Sequence, residues 1–550
     1  MAITLQDLQS AGNEQLLKLV ARRHPDFADN VAHWTFLDLS YRGGRKWIED
    51  NLFSYHKEGK AEFAERKKRA YRFPHSREVI SLVNKYVFKG SIERSAEPPS
   101  PVKDFWKSAT LLKRPIEDLM MNISTGTSTF GRLWVVVDNN VPAEVRTKAD
   151  LKKSKGRTYA YFLKPTQVYD FEYDEDGELD WILYGEFSRE AGSPLQSDGK
   201  IEHQYRIWTK EFTVVMREDT TDGERRISLA PDSVREHNLG LVPVFPADHI
   251  TTDDLYSSAG LIEDVAYLDR AVANYLSNLD VIIQDQTFSQ LAIPFQGLMQ
   301  SAENSSYDPD FDDLEQVDQM VKMGTKRVFA YNAEGGSAPT FISPDVKQAD
   351  IIMKAVTKIV GEIYHSIGMA GERTKEDNAA GIDNSSGVAK AYDFEKLNAM
   401  LAAKARSLQN IEKNLIRLVF AWRSELKELE EIEDYVTYPS TFDVRNLADE
   451  MDNAQRMSVM NAPKKLRRMQ MKRLATKMFP QSPEADMKAI EKEIDDDWLE
   501  LDPAMALNQL PQGGELPTTG RVPGKKNSQG ENNKGSVKAA DKQKEVKPAK

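Results

Sequence analysis

The sequence has no cysteine among its 550 residues. This absence excludes disulfide bridges, zinc sites built on thiolates and a cysteine nucleophile. No apolar run approaches the roughly 20 residues that a membrane-spanning helix needs, and residues 1–21 form a polar, amphipathic helix pattern instead of a signal peptide. We therefore expect a protein that works in solution and has no membrane partner.

Signatures of catalysis and metal binding are also missing. None of the eight histidines lies at the His-x-x-x-His or His-Glu-x-x-His spacing that places two imidazoles on one helix face. The stretch from Gly126 to Gly131 lacks the Gly-Lys-Ser/Thr ending of a phosphate-binding loop, and no Gly-x-Ser-x-Gly elbow occurs. These glycines favour a close approach of the backbone before a strand. We predict no catalytic residue, no cofactor and no metal site.

Acidic residues outnumber basic ones, 86 to 74, which gives a net charge of −12 at neutral pH. Tight binding of nucleic acid over a whole surface depends on Lys and Arg, which release counterions from the phosphates. If DNA is the partner, it must therefore slide along this chain. Neighbouring acids, such as Asp253 with Asp254 and residues 495–497, leave a Mg²⁺-dependent reaction open, although solvated surface is the commoner role of such pairs.

The first 250 residues mix helix and strand patterns. Helical patterns cover residues 4–23 and 61–87. Short β runs follow at residues 133–137, 159–162, 168–173, 181–187, 205–208 and 212–216. Their spacing predicts antiparallel hairpins, and Asp176-Gly177 is a tight-turn signal between two of them. A hairpin turn also explains the acidic residues 174–177 better than a calcium loop does, because the other ligand positions of that loop are missing.

Two long helices with a β unit between them occupy the centre of the chain. The first, over residues 257–286, carries an apolar stripe at steps of three and four: Leu261, Val265, Leu268, Val272, Tyr275, Leu279 and Ile282. The second, over 345–367, carries the stripe Ile352, Val356, Ile359, Ile363 and Ile367. Short β runs lie between them at 290–295, 327–331 and 339–342, and Pro294 limits the first run to the edge of a sheet or the end of a strand.

The remaining chain begins with a segment without periodicity, residues 368–386, rich in Gly, Asn, Asp and Lys. A third long helix over 387–426 has its apolar face at Leu397, Leu401, Leu408, Ile411, Leu415, Leu418 and Trp422. A β run at 435–438 and helical patterns at 447–479 and 482–499 follow. From about residue 511 the composition is that of a disordered tail.

Several passages together resemble the portal proteins of tailed double-stranded DNA bacteriophages. Near the N-terminus they are Trp47, residues 61–66, 69–71 and 79–88. The string 237–244, with Gly240 and Pro243, is similar to the stretch that precedes the first stem helix of that family. The most specific passage is 363–394, where a helix, a polar loop and Ser385-Ser386-Gly387-Val388-Ala389-Lys390 follow in the family's order. The resemblance covers about residues 40–500.

The resemblance implies an α+β chain with the phage portal fold, in which wing, stem, clip and crown regions build a ring. It divides the chain as follows: residues 1–256 are the N-terminal part of the wing, 257–286 the first stem helix, 287–344 the clip, 345–367 the second stem helix, 368–386 the tunnel loop, 387–445 the long wing helix and returning strand, 446–505 the crown, and 506–550 a disordered C-terminal tail.

The resemblance also implies which residues meet DNA. The expected tunnel loop carries the polar side chains Glu372, Arg373, Lys375, Glu376, Asp377 and Asn378, and nearby glycines favour its mobility. Such side chains contact phosphates without reading sequence, although an ordinary exposed loop has the same composition. The second stem helix has three candidate channel-facing lysines, Lys347, Lys354 and Lys358. They could equally be its ordinary solvent-exposed face.

The partners implied are eleven further copies of the chain in a dodecamer, double-stranded DNA passing without sequence specificity, the terminase large subunit, the head-tail adaptor, and the major capsid and scaffolding proteins. The expected location is a capsid vertex of the virion, after assembly in the host cytoplasm. The expected role is a non-enzymatic channel for DNA packaging and ejection. Two alternatives stay open: a minor capsid or ejection protein without a channel, and the Mg²⁺-dependent nucleic-acid-processing enzyme.

Overall fold

The computed structural model describes residues 3–55, 58–90, 92–141, 156–189, 195, 199–221, 224–230, 233–237, 239–287, 290–294, 328–331, 340–342, 346–368, 387–440, 442, 454, 463–479 and 484–496. These residues belong to two compact units, Met1–Val444 and Arg445–Lys550. Among the helices described, none combines the length and the apolar character that a membrane crossing requires.

The N-terminal part of the first unit holds more helix than the periodicity predicts. Its helices are α1 (Leu5–Ser10), α2 (Asn13–Ala21), α3 (Pro25–Arg42), α4 (Arg45–Asn51), α5 (Lys60–Arg69), α6 (His75–Val87), α7 (Ser100–Lys107) and α8 (Ile116–Phe130). The helical pattern predicted over 4–23 corresponds to two helices, α1 and α2, because the chain is extended at Ala11 and Gly12. The helical pattern over 61–87 likewise corresponds to two helices, because Pro74 precedes α6 and cannot continue a helix from α5.

Helix α8 corrects the interpretation of Gly126 and Gly131. Its second half is rich in hydroxyl residues that disfavour a helix in isolation, yet their side chains bond to carbonyls one turn back. Thr127 donates to the Ile123 carbonyl at 2.9 Å, and Thr129 donates to that of Thr125 at 2.8 Å. Gly126 therefore lies inside a helix, whereas Gly131 ends it with φ at 81°. The expected close approach holds at Gly131, where an added Cβ would lie 1.7 Å from the Ser258 carbonyl oxygen.

The strands of the first unit confirm the predicted hairpins. They are β1 (Glu93–Arg94), β2 (Arg132–Asn139), β3 (Thr158–Leu163), β4 (Val168–Tyr173), β5 (Leu179–Arg189), β6 (Ile201–Thr209), β7 (Phe212–Thr221), β8 (Glu224–Leu229), β9 (Arg235–Glu236) and β10 (Val244–Asp248). An antiparallel sheet runs β4-β5-β6-β7-β8, and a second has the order β10-β2-β3. The turn at Gly177 joins β4 to β5 with φ at 78°.

The two sheets and their helices form layers. Strand β2 is buried on both faces: Leu133, Val135 and Val137 face a helical core, whereas Trp134 and Val136 face the other sheet. The outer face of that other sheet packs against α1 and α2 through Leu8, Leu16 and Val20. The central helices described next contribute apolar residues to the same helical core.

The central helices are α9 (Glu263–Thr287), α10 (Val346–Ser366) and α11 (Gly387–Ala421). The prediction of three long helices is confirmed, but α9 begins at Glu263 and not at residue 257, and α11 ends at Ala421 because the chain turns at Ser424 with φ at 59°. Helix α11 packs across the helical core, where the predicted stripe from Leu397 to Leu418 is buried.

A small sheet lies between α9 and α10 in the sequence. Its strands are β11 (Gln290–Pro294), β12 (Val328–Tyr331) and β13 (Thr340–Ile342), in the order β12-β11-β13. Strand β11 is parallel to β12 and antiparallel to β13. Pro294 is the last residue of its strand, as predicted. The last strand of the unit, β14 (Val436–Thr437), pairs with β1.

The second unit contains α12 (Lys464–Met478) and α13 (Glu484–Asp496), which pack on each other. Lys472 and Asp495 join them with an N–O distance of 2.5 Å. Both helices lie within the predicted patterns 447–479 and 482–499. The expected tail after residue 506 lies outside the described residues.

Candidate functional site

The helices α9 and α10, called the helix pair below, pack along each other. Val272 and Leu276 of α9 and Val356 of α10 are buried in a small apolar cluster between them. Three further residues of α10 pack against this cluster: Ile352, Ile359 and Val360. Ile363 and Ile367 continue the stripe into the helical core. The predicted apolar stripe of α10 therefore packs against α9 along part of its length and against the helical core at its C-terminal end.

Other faces of the helix pair expose large apolar side chains. Ile351 is 66% exposed, Met353 47% and Tyr275 38%. Tyr275 belongs to the apolar stripe predicted for α9. Ile351 and Met353 lie on α10 and Tyr275 lies on α9, so both helices of the pair carry exposed apolar side chains.

The root of α9 is fixed by a buried carboxylate. Asp269 is fully buried and accepts hydrogen bonds from the Ser76 hydroxyl at 2.7 Å and the Ser76 backbone N–H at 3.1 Å. The Arg72 guanidinium donates to the same oxygen at 3.2 Å and lies 4.2 Å from the centre of the Trp47 ring. Burial lowers the pKa of Arg72, and the Asp269 charge opposes that shift. This ion pair ties α9 to α6 and to α4.

A second buried cation holds the middle of α9. Arg66 of α5 is 2% exposed and donates to both carboxylate oxygens of Glu58, at 2.7 and 2.8 Å. It also donates to the Phe53 carbonyl at 2.6 Å and to the Ser277 hydroxyl of α9 at 3.0 Å. The hydrogen bonds from Arg66 lower the pKa of Glu58, so the carboxylate stays charged. Helix α5 is thereby held against α9 by directional bonds as well as by apolar contact.

Helix α10 returns into the same core. Tyr364 is 3% exposed, and its hydroxyl donates to Glu78 of α6 at 2.6 Å. His75, at the start of α6, lies 3.4 Å from the same hydroxyl. Helix α6 therefore contacts α9 through Ser76 and α10 through Tyr364, so one helix supports both members of the helix pair.

The three candidate lysines lie in one line on α10. Lys347, Lys354 and Lys358 are all exposed. Because they are seven and four residues apart, they fall on one side of the helix, opposite the side that carries Val356. Lys358 forms an ion pair with Glu362, and this bond lowers the pKa of the Glu362 carboxyl. The structure thus gives the lysines a common direction away from α9.

The candidate tunnel-loop residues Glu372, Arg373, Lys375, Glu376, Asp377 and Asn378 lie outside the described residues, so their predicted role stays a prediction. The chain leaves α10 at Gly368, where φ is 74°. An added Cβ there would lie 3.3 Å from the backbone nitrogen of Leu397 in α11. The Lys396 amine donates to the His365 carbonyl at 3.4 Å. The C-terminal end of α10 and Gly368 therefore lie against α11.

One residue of each acidic group considered for Mg²⁺ has another role in the structure. Asp254 accepts from the backbone N–H groups of Tyr256 at 2.8 Å and Ser257 at 3.2 Å, and these bonds lower its pKa. Asp495 is the partner of Lys472. Across the described ranges, no group of three His, Asp or Glu side chains is arranged to hold a metal ion.

A cavity of about 420 Å³ lies beside Asp254 and the open edge of β10. Four of its charged lining residues form pairs: Arg132 donates to Asp248 at 2.6 and 3.0 Å, and Arg417 lies 3.8 Å from Glu178. The cavity offers no set of nucleophile, base and oxyanion donor.

Sequence reasoning missed a buried polar cluster where α8, α11 and β10 meet. Lys404 of α11 is fully buried and donates to the Thr127 hydroxyl at 2.5 Å and to the Ser124 carbonyl at 3.4 Å. Burial holds the pKa of Lys404 well below its usual value, with the Asp248 charge opposing. Burial, followed by the Lys404 charge, likewise lowers the pKa of His249. The only sequence signal was a lysine between the apolar positions Leu401 and Leu408.

No family model matches the chain, and no curated protein is significantly similar to it. Among solved structures, it is similar to a chain in the virion of a native gene transfer agent particle, with 10% identity and a TM-score of 0.35 over 78% of this chain and 94% of the other. It is also similar to a chain in the neck of an empty gene transfer agent particle, with 11% identity and a TM-score of 0.30 over 76% of this chain and 95% of the other. TM-scores this low do not establish a common fold.

Proposed function

We propose that this chain is the portal subunit of a phage-like particle: a non-enzymatic protein that forms a ring around a channel through which double-stranded DNA is packaged and ejected. The observation that carries the proposal is the helix pair. Two long helices leave one core together, enclose a small sheet between them in sequence, and are rooted side by side on α6. This is the order of stem, clip and stem that the sequence resemblance implies.

Exposed apolar residues support the ring. In the single chain, Ile351, Met353 and Tyr275 of the helix pair are exposed. A neighbouring copy related by rotation can cover them with a different part of its own surface, and such a contact closes into a ring when the rotation divides a full turn. The proposed assembly is a dodecamer at one capsid vertex, formed in the host cytoplasm with the capsid and scaffolding proteins.

The lysine line supports a channel lining. Lys347, Lys354 and Lys358 point away from α9, and in a ring they would stack into three sparse circles of positive charge. Within a chain of net charge −12, such circles would give phosphates a weak, sequence-independent contact that lets a duplex move. Residues 368–386 would supply a further DNA-facing loop, and the sheet β11–β13 would dock first the terminase large subunit and later the head-tail adaptor.

Imaging of the purified protein tests the ring. We expect negative-stain class averages with rotational symmetry and a central channel. Ile351→Glu places a charge in the proposed contact and should shift the particles to monomers, whereas Leu112→Glu, at an 81% exposed position on a loop of the wing, should leave rings intact. Monomers at all concentrations would contradict the proposal and favour a capsid or ejection protein without a channel. DNA cleavage that requires Mg²⁺ would favour the enzyme.

A further inference from the structure

Helix α12 in the second unit is strongly basic, in contrast to the chain as a whole. Its sequence is KKLRRMQMKRLATKM, in which seven of fifteen residues are Lys or Arg and none is Asp or Glu. The whole protein has a net charge of −12. A concentrated basic element in an acidic protein is the electrostatic pattern of a surface that binds a polyanion.

The placement of these charges does not favour the helix itself. Four of the first five residues are cations, at the end where the helix dipole is positive and where each costs about 0.3–1 kcal/mol at an exposed site. Arg468 also follows Lys464 by one turn, and like charges four residues apart repel. The acidic helix α13 has six Asp or Glu and two Lys. It offsets part of the repulsion among the α12 cations through pairs such as Lys472 with Asp495. Lys465 and Arg473 nevertheless remain exposed.

The distribution of charge around α12 distinguishes two kinds of polyanion. At 100° per residue, the widest sector without a Lys or Arg spans about 80°, narrower than the apolar face of a helix that lies on a membrane. The exposed apolar side chains Leu466 and Met469 stand between basic residues and do not form a stripe. A lipid surface would require such a stripe, whereas a phosphate backbone would not.

We propose that α12 is a second, sequence-independent contact for duplex nucleic acid. Lys465, Arg468 and Arg473 span about 12 Å along the helix axis, a length over which duplex DNA carries roughly seven phosphates. The contact is made by this unit's own side chains, so it does not require a ring.

The test measures binding of the full-length protein to closed circular duplex DNA, which cannot thread a channel. Lys465→Gln, Arg468→Gln and Arg473→Gln are combined in one variant. The matched control removes three exposed lysines of the first unit, by Lys85→Gln, Lys103→Gln and Lys107→Gln, with the same change in net charge. Binding constants are measured by filter retention between roughly 50 and 200 mM salt.

Wild type and control should bind with the same salt dependence. The α12 variant should lose about 2.7 from the slope of log K against log salt, since each phosphate contact contributes about 0.9. The binding constant of wild type divided by that of the variant is then roughly 40-fold larger at the lowest salt than at the highest. Two unrelated circular sequences should bind equally.

An α12 variant with the wild-type slope would overturn the proposal, as would an equal loss in the control. Retention of vesicles of phosphatidylglycerol in place of DNA, lost in the α12 variant, would overturn it in favour of a membrane surface. The variant is expected to melt no lower than wild type because it removes repulsion, and a circular dichroism melt checks this. Intact rings in a variant that has lost DNA binding would separate this contact from the proposed channel.

Discussion

Replacement of Asp269 by alanine should loosen the root of α9. Asp269 has no exposed surface, and Arg72 is 7% exposed, so the variant leaves a guanidinium buried without its carboxylate. Removing one partner of a buried ion pair costs about 3–5 kcal/mol. Ser76 loses both of its bonds to the same oxygen, which adds to the loss. The effect should be local to the elements that Asp269 joins.

Hydrogen exchange of the backbone amides reports this loosening. If the free energy of opening falls by at least about 3 kcal/mol, amides of α9 should exchange roughly 150-fold faster or more. Asp264→Ala, at an exposed position of the same helix, is the matched control and should change exchange little. The double variant Arg72→Met with Asp269→Leu should recover much of the protection, because apolar replacement removes both buried charges. Equal exchange in Asp269→Ala and Asp264→Ala would refute the reasoning.

Three further predictions concern the first unit. Burial, and next the Arg235 charge, lowers the pKa of His237 to about 4, so the native state binds fewer protons than the unfolded state between about pH 4 and 6.5. The free energy of unfolding should therefore be intact above this window and fall by up to about 2 kcal/mol as the pH drops through it. Denaturant titrations of His237→Gln should show a smaller loss over the same pH range. Lys404→Met should raise the melting temperature at neutral pH, by a gain of about 1–3 kcal/mol, because it removes a buried amine; a lower melting temperature would show that its hydrogen bonds outweigh its burial. Gly131→Ala should lower stability by more than about 2 kcal/mol, whereas Gly177→Ala, with a similar positive φ but open space around it, should cost only about 1 kcal/mol.

The sequence predicts elements well where one physical signal dominates. The meander from β4 to β7 alternates between two buried faces and is punctuated by polar turns, so its strands lie close to their predicted positions. Helix α10 has one apolar stripe and one solvent-exposed face, and its predicted bounds were confirmed to within a residue at each end. A strong apolar periodicity predicts an element reliably because it arises from burial of that element on one side.

Elements buried on several sides escaped sequence reasoning. Helix α3 has its apolar residues distributed around its axis and therefore shows no single stripe. The second half of α8 has the composition of a loop, and only its hydroxyl bonds and its burial make it helical. The candidate site shows the same limit: the lysines on α10 were predictable from sequence, but the buried anchors Asp269 and Arg66 were indistinguishable from surface charges.

The sequence alone determined the order of the elements: a mixed N-terminal half, two long helices around a β unit, and a third long helix, because apolar spacing within each segment is a local property. It also determined the contrast between an acidic chain and the basic helix α12. Only the tertiary structure decided that the helix pair is rooted on α6, that Asp269 and Lys404 are buried, and that Ile351 is exposed. Those properties depend on residues brought together from more than 190 positions apart, as Ser76 and Asp269 are, and no local pattern encodes such a contact.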